Sequence, residues 1–153
     1  MHFTIETLTQ YLQEVYPQTA ETISIEALIP MEVVVRMSIN NDDLRPGNTV
    51  SGPTVFTVAD CAFYCALLAM IGPKALAVTS NISINFMRKP EPVDLVGHAR
   101  ILKLGKTLAM GDCTVYSQGK TEAVAQATIT YAIPTTVSPA TASPATADGS
   151  APS

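Results

Sequence analysis

The segment "PTVFTVADCAFYCALLAMIGP", residues 53–73, carries a single charged residue, Asp60. A run this long and apolar has two folded destinations, a bilayer span or a helix buried on all sides by other elements of a core. Its punctuation is helical: Pro53 suits the first helical position, Gly52 falls at the N-cap, and Gly72-Pro73 stops the element, predicting a helix over residues 53–71. A bilayer span would place Asp60 near its centre at about 2.5–3.5 kcal/mol, with no Lys or Arg cluster at either end. The core helix is therefore the better reading, and it needs a sheet wide enough to wrap it.

The sequence supplies one. After the helix, β-branched and alternating residues predict four strands, roughly residues 76–88, 94–104, 107–117 and 121–132, with turns at Lys89-Pro90-Glu91-Pro92, Gly105 and Gln118-Gly119-Lys120. Ahead of it, "ISIEALI" and "MEVVVRMSI" flank Pro30 as a strand pair or one bent strand, followed by the irregular loop "NNDDLRPGN". Alternation puts Leu95, Gly97, Ala99 and Ile101, then Ala109, Gly111, Cys113 and Val115, then Ala123, Ala125, Ala127 and Ile129 on inner faces. In "NISINFMR", Ile82, Ile84 and Phe86 share one face and Asn81, Ser83 and Asn85 the other. Glycine and alanine at so many inner positions let a helix backbone come close to the sheet. The expected class is α+β, an antiparallel sheet wrapped around one long helix. Leu8, Tyr11, Leu12, Val15 and Tyr16 predict an amphipathic helix over about residues 4–16, so that one domain spans 1–134. Residues 135–153, almost wholly Thr, Ser, Pro and Ala, are expected to be a disordered tail.

A buried carboxylate needs a polar partner, since an isolated charge in a dry core would take a proton instead. Thr57, Thr79 and Ser80 are the nearest candidates for a purely structural bond to Asp60. The context argues for chemistry as well. A helix N-terminus presents unpaired N–H groups to a developing oxyanion, and a partly desolvated carboxylate is suited to general-base work. At 1.5 Å per residue, however, Gly52 and Asp60 lie about 12 Å apart along one helix, too far to hold one carbonyl and the water attacking it. A shared site is expected, with Gly52 N–H of one subunit facing Asp60 of the other across a two-fold dimer.

A net charge of −4 with 14% charged residues argues against nucleic acid and against a basic membrane-binding patch. The three cysteines, Cys61, Cys65 and Cys113, and the absence of an opening secretory signature point to a reducing cytoplasm. Buried inert thiols are the expectation for Cys61 and Cys65. With His2 and His98 as the only histidines and no ligand spacing, no metal site is expected.

"RPGNTVSGPTVFTVADCAFYCALLAMIG", with "VTSNISINFMRKP", "KLGKTLAMGDCTVYSQG" and "VAQATITYAIP", resembles the hotdog-fold acyl-CoA thioesterases of the PaaI-like group, related to the 4-hydroxybenzoyl-CoA thioesterases. The similarity extends over residues 20–134. It implies a buried helix wrapped by the sheet, subunits paired into a continuous sheet, and an assembly of such pairs into a dimer of dimers. It also implies hydrolysis of a small, medium-chain or aromatic acyl-CoA ester, with the carboxylate matching Asp60 as base or nucleophile and the N–H matching Gly52 polarising the carbonyl. Coenzyme A is then part of the substrate, and no separate cofactor is implied. Where many members read His-Gly-Gly, this chain reads Ser51-Gly52-Pro53, so the imidazole's help in positioning substrate would fall to Ser51 or Asn48, or be absent. Phe56, Phe63 and Tyr64 are candidates to line the acyl pocket, while Arg88, Lys89, Lys103 and Lys106 are candidates for CoA phosphate contacts. His98, beside Gly97, reads as an exposed or edge residue.

Two other readings compete. A non-catalytic acyl-CoA binder would keep the fold and bind without turnover. An enoyl-thioester hydratase would need an acid paired with a histidine in the cleft.

Overall fold

The computed structural model describes residues 1–135, and the predicted tail from residue 136 onward lies outside the described residues. The chain runs through helices α1 (Ile5–Val15) and α2 (Pro17–Ala20), strands β1 (Ile23–Ile29) and β2 (Glu32–Met37), and a short 3₁₀ turn at Asn41–Asp43. A two-stranded ribbon follows, β3 (Leu44–Arg45) and β4 (Thr49–Val50), then helix α3 (Gly52–Ile71). Four longer strands complete it: β5 (Val78–Phe86), β6 (Leu95–Leu104), β7 (Leu108–Ser117) and β8 (Ala123–Ala132). The main sheet is antiparallel throughout, in the order β1-β2-β6-β7-β8-β5, which makes the segments flanking Pro30 a strand pair and leaves β1 and β5 as edges.

This sheet curls around α3 in a hotdog arrangement. Every α3 residue from 61 to 69 is buried, and side chains such as Phe63, Leu67 and Leu68, fully removed from water, each stabilise the fold by about 1.5–3 kcal/mol. The helix is long and apolar enough to cross a membrane by length and composition; here the sheet takes up its apolar surface. Close approach depends on the small residues of β6 and β7. A Cβ on Gly97 would sit 3.3 Å from the Ala62 methyl, and one on Gly111 would overlap the Arg100 carbonyl oxygen and sit 2.6 Å from the Phe63 ring. The inner-face alternation read for these strands holds at Leu95, Gly97, Ala99, Ile101, Ala109, Gly111, Cys113, Val115, Ala125, Ala127 and Ile129, all buried; Ala123, beside a register shift between β7 and β8, is only half-buried.

The start of α3 differs from expectation by one residue. Ser51, extended at φ −71° and ψ 155°, is the N-cap, and Gly52 is the first helical residue. The reason is side-chain chemistry: Ser51 Oγ accepts the Thr54 N–H and donates to Thr54 Oγ1, which donates to Asp43 Oδ1 at 2.9 Å. Gly52 and its N–H thus sit inside the helix's first turn, pinned to the preceding loop. At the other end of the domain, α1 starts with a reciprocal Thr4–Thr7 cap and buries Leu8 and Leu12 against the core.

Candidate active site

Asp60 reaches the sheet edge from the middle of α3 and is half-buried there. Its Oδ1 accepts two hydroxyl donors, Thr79 Oγ1 at 2.6 Å and Tyr131 Oη at 2.8 Å. These donors are direct cross-strand partners on β5 and β8. Strict alternation from Ile82 would turn Thr79 outward. A β-bulge between Thr79 and Asn81 inserts one residue and reverses that parity, bringing Thr79 onto the helix side beside Tyr131. Thr57 and Ser80, also expected as candidates, bond elsewhere, to the carbonyls of Pro53 and Thr130.

Asp60 opens onto a cleft of about 420 Å³ whose walls include Tyr16, Cys61, Tyr64, Ala77, Thr79 and Tyr131. The Tyr131 ring lies between Phe63 and Tyr64, with centroids 5.4 and 6.1 Å away. Burial, and next the Asp60 charge, raise the Tyr131 phenol well above its ordinary range, so it stays protonated and donates. Burial likewise pushes Tyr64 up to about 12 and the Cys61 thiol up to about 11. Asp60 is the one carboxyl side chain lining the cleft among the described residues.

Gly52 belongs to a different cleft, of about 580 Å³, bounded by the β3–β4 turn, the start of α3 and the end of β5, with Arg45, Arg88 and Lys89 at its rim. The two clefts have no lining residue in common. Among the described residues a Cβ on Gly52 would meet only the Phe86 ring, at 3.7 Å, an ordinary contact, so none of them demands glycine there.

Among the predicted positions, Gly52, Arg88 and Lys89 share the larger cleft, while Asp60 and Tyr64 share the smaller one. Tyr64 also donates its O–H to the Ala75 carbonyl at 2.8 Å. Arg88 is partly engaged, donating to the Ala123 carbonyl at 2.8 Å and facing Glu122 at 3.3 Å. Ser51 is occupied by its cap, and Asn48, at φ 57°, closes the β3–β4 turn in the left-handed conformation that asparagine tolerates. Neither lines either of these two clefts. Phe63 is core, fully buried, and Phe56 is exposed on the outer side of α3. Lys103 is exposed, and Lys106 lies at the opposite end of the domain, beside His2 and Lys74. His98 is exposed on β6, bonded to Glu32 at 3.1 Å. Among the described residues no three His, Cys, Asp or Glu side chains converge into a metal-binding group. The sequence reading missed Tyr131, Arg45 and Tyr16. Tyr131 was accessible, because the inward series Ala125, Ala127, Ile129 reaches it at the next step.

A helix carboxylate held at the open edge of a hotdog sheet, with the helix N-terminus in a separate cleft, defines a class of protein, and comparisons agree with it. The Thioesterase superfamily model matches residues 47–124. A crystal structure of a candidate thioesterase from a Silicibacter species is 50% identical, covers 86% of this chain and 92% of its own, and superposes with a TM-score of 0.80. The fold recurs in zebra fish thioesterase superfamily member 2, at 20% identity, 86% and 99% coverage and TM-score 0.75. It recurs again in a variant of the phenylacetic acid degradation protein PaaI from Thermus thermophilus, at 24% identity, 81% and 98% coverage and TM-score 0.63. No curated protein matches the sequence. The chain belongs to the thioesterase superfamily, with its hotdog fold, and its general chemistry is thioester hydrolysis.

Proposed function

We propose that the protein hydrolyses an acyl-CoA thioester in a site shared by two subunits, with Asp60 of one chain as base or nucleophile and the partner's Gly52 N–H as oxyanion donor. The observation that carries this reading is the layout of β5. This free edge strand has the Asp60 cleft at its start, through Val78 and Thr79, and the Gly52 cleft at its end, through Phe86 and Met87. Antiparallel pairing of β5 with a second β5 about Ile82 would bring the start of one against the end of the other, closing each Asp60 cleft with a partner's Gly52 cleft. The sterically unexplained glycine supports the same reading, since a bare Cα lets a carbonyl approach its N–H closely. The pair is the unit that completes the site; further association of pairs into a dimer of dimers is part of the proposal.

In the base route, water adds to the carbonyl carbon as Asp60 takes one of its protons, and the carbonyl electron pair moves onto the oxygen facing Gly52 N–H. Collapse breaks the C–S bond, and the departing CoA thiolate recovers the proton. In the nucleophile route Asp60 adds directly and expels the thiolate, and water then opens the resulting anhydride. Arg45, Arg88 and Lys89, gathered at the rim of the Gly52 cleft, offer the positive charge that CoA phosphates require. Thiol release measured across acetyl, medium-chain and aromatic CoA esters tests the proposal. Turnover of at least one supports it, and tight binding of the whole panel with no thiol released would replace it with an acyl-CoA binding function. A cytoplasmic setting, where CoA esters are made and used, fits this substrate.

A further inference from the structure

Building on that reading of Asp60, we propose that Tyr131 is a positioning residue that decides which carboxylate oxygen reacts. Both hydroxyl donors converge on Oδ1, from Thr79 at 2.6 Å and Tyr131 at 2.8 Å. Oδ2 makes no hydrogen bond among the described residues and is not a buried atom lacking a partner, which leaves it open to the cleft. An oxygen with two donors has its lone pairs engaged, so the proton from water, or the bond to the thioester carbon, forms at Oδ2. Thr79 stands exposed on an edge strand, and its single bond constrains the carboxylate from one side only. The Tyr131 O–H is held by its ring, wedged between Phe63 and Tyr64, and also approaches the Asp60 backbone carbonyl at 3.3 Å. Two contacts to one residue set the direction of the Asp60 side chain relative to its own helix.

Tyr131→Phe keeps the ring and its stacking and removes only the hydroxyl. The expected result is a fall in kcat of about tenfold to a hundredfold, the range for losing a hydrogen bond to a charged group, with KM within about twofold and the melting temperature nearly unchanged. Asp60→Asn is measured alongside. Loss of turnover in Asp60→Asn secures the underlying site. If Asp60→Asn is inactive while Tyr131→Phe turns over at the wild-type kcat, this inference is wrong and the site reading stands. A Tyr131→Phe variant whose kcat, KM and melting temperature all deteriorate together would equally overturn it, by marking the hydroxyl as structural. An active Asp60→Asn would remove the site reading itself.

Discussion

Gly52→Ala separates catalysis from stability more cleanly than any other single change in this chain. The added methyl would lie 3.7 Å from the Phe86 ring, within ordinary van der Waals contact, and no backbone atom obstructs it. Replacing glycine by alanine in a helix stabilises by up to about 1 kcal/mol through the unfolded chain's lost freedom, and less at a first-turn position. The melting temperature should therefore hold or rise by at most about 3 °C. Activity should move the other way. In the proposed site the methyl would stand beside the N–H that receives the carbonyl oxygen, and loss of one oxyanion donor costs about a hundredfold to a thousandfold in kcat. The assay is thiol release on the best CoA ester, paired with a thermal melt on the same preparation. A variant at least as stable as wild type and fully active would refute the role given to Gly52. A variant that melts many degrees lower would refute the claim that the site is sterically open.

Asp60→Asn should lose turnover by at least about a hundredfold while remaining folded, the lower bound for a general base, as checked by kcat and circular dichroism. Gly111→Ala should destabilise by about 3 kcal/mol or more, read by denaturant unfolding, because its Cβ would overlap a backbone oxygen that cannot swing aside. Burial raises the thiols of Cys61, Cys65 and Cys113 above the ordinary 9.0, Cys61 to about 11. Folded thiols hold their protons more tightly than unfolded ones, so this stability is complete below pH 9 and is lost as pH rises through the folded values. The unfolding free energy should fall above about pH 9, by about 1.4 kcal/mol per pH unit for each thiol between its unfolded and folded values, melting temperatures should fall with it, and Cys61→Ala should flatten the slope.

The helix was legible because its apolar run, its prolines and Gly72 all mark the same element. The N-cap moved by one residue because Ser51 can bond Thr54 through its hydroxyl, and glycine cannot. The inner faces of β6 and β7 followed from alternation, since a one-residue slip would expose every inward side chain. Alternation fails at a bulge, which is why Thr79 could be named as a neighbour of Asp60 without its facing being known. Tyr131 is 71 positions from Asp60, a separation that only strand order closes. The cations were the least readable. Arg88 and Lys89 meet the Gly52 cleft while Lys106 lies across the domain, a distinction set by which turns cluster and not by local composition.

Mixing two inactive variants tests the shared site most directly. Asp60→Asn and Gly52→Val chains, each inactive alone, are unfolded together and refolded at equal concentration. In a randomly paired dimer population half the molecules are mixed, and each carries one intact site, the Gly52→Val chain's Asp60 facing the Asp60→Asn chain's Gly52. Activity should return to about a quarter of wild type, the statistical share for a two-fold dimer with two composite sites. If the refolded mixture contains mixed dimers by mass and still releases no thiol above either variant alone, the two groups do not act across an interface.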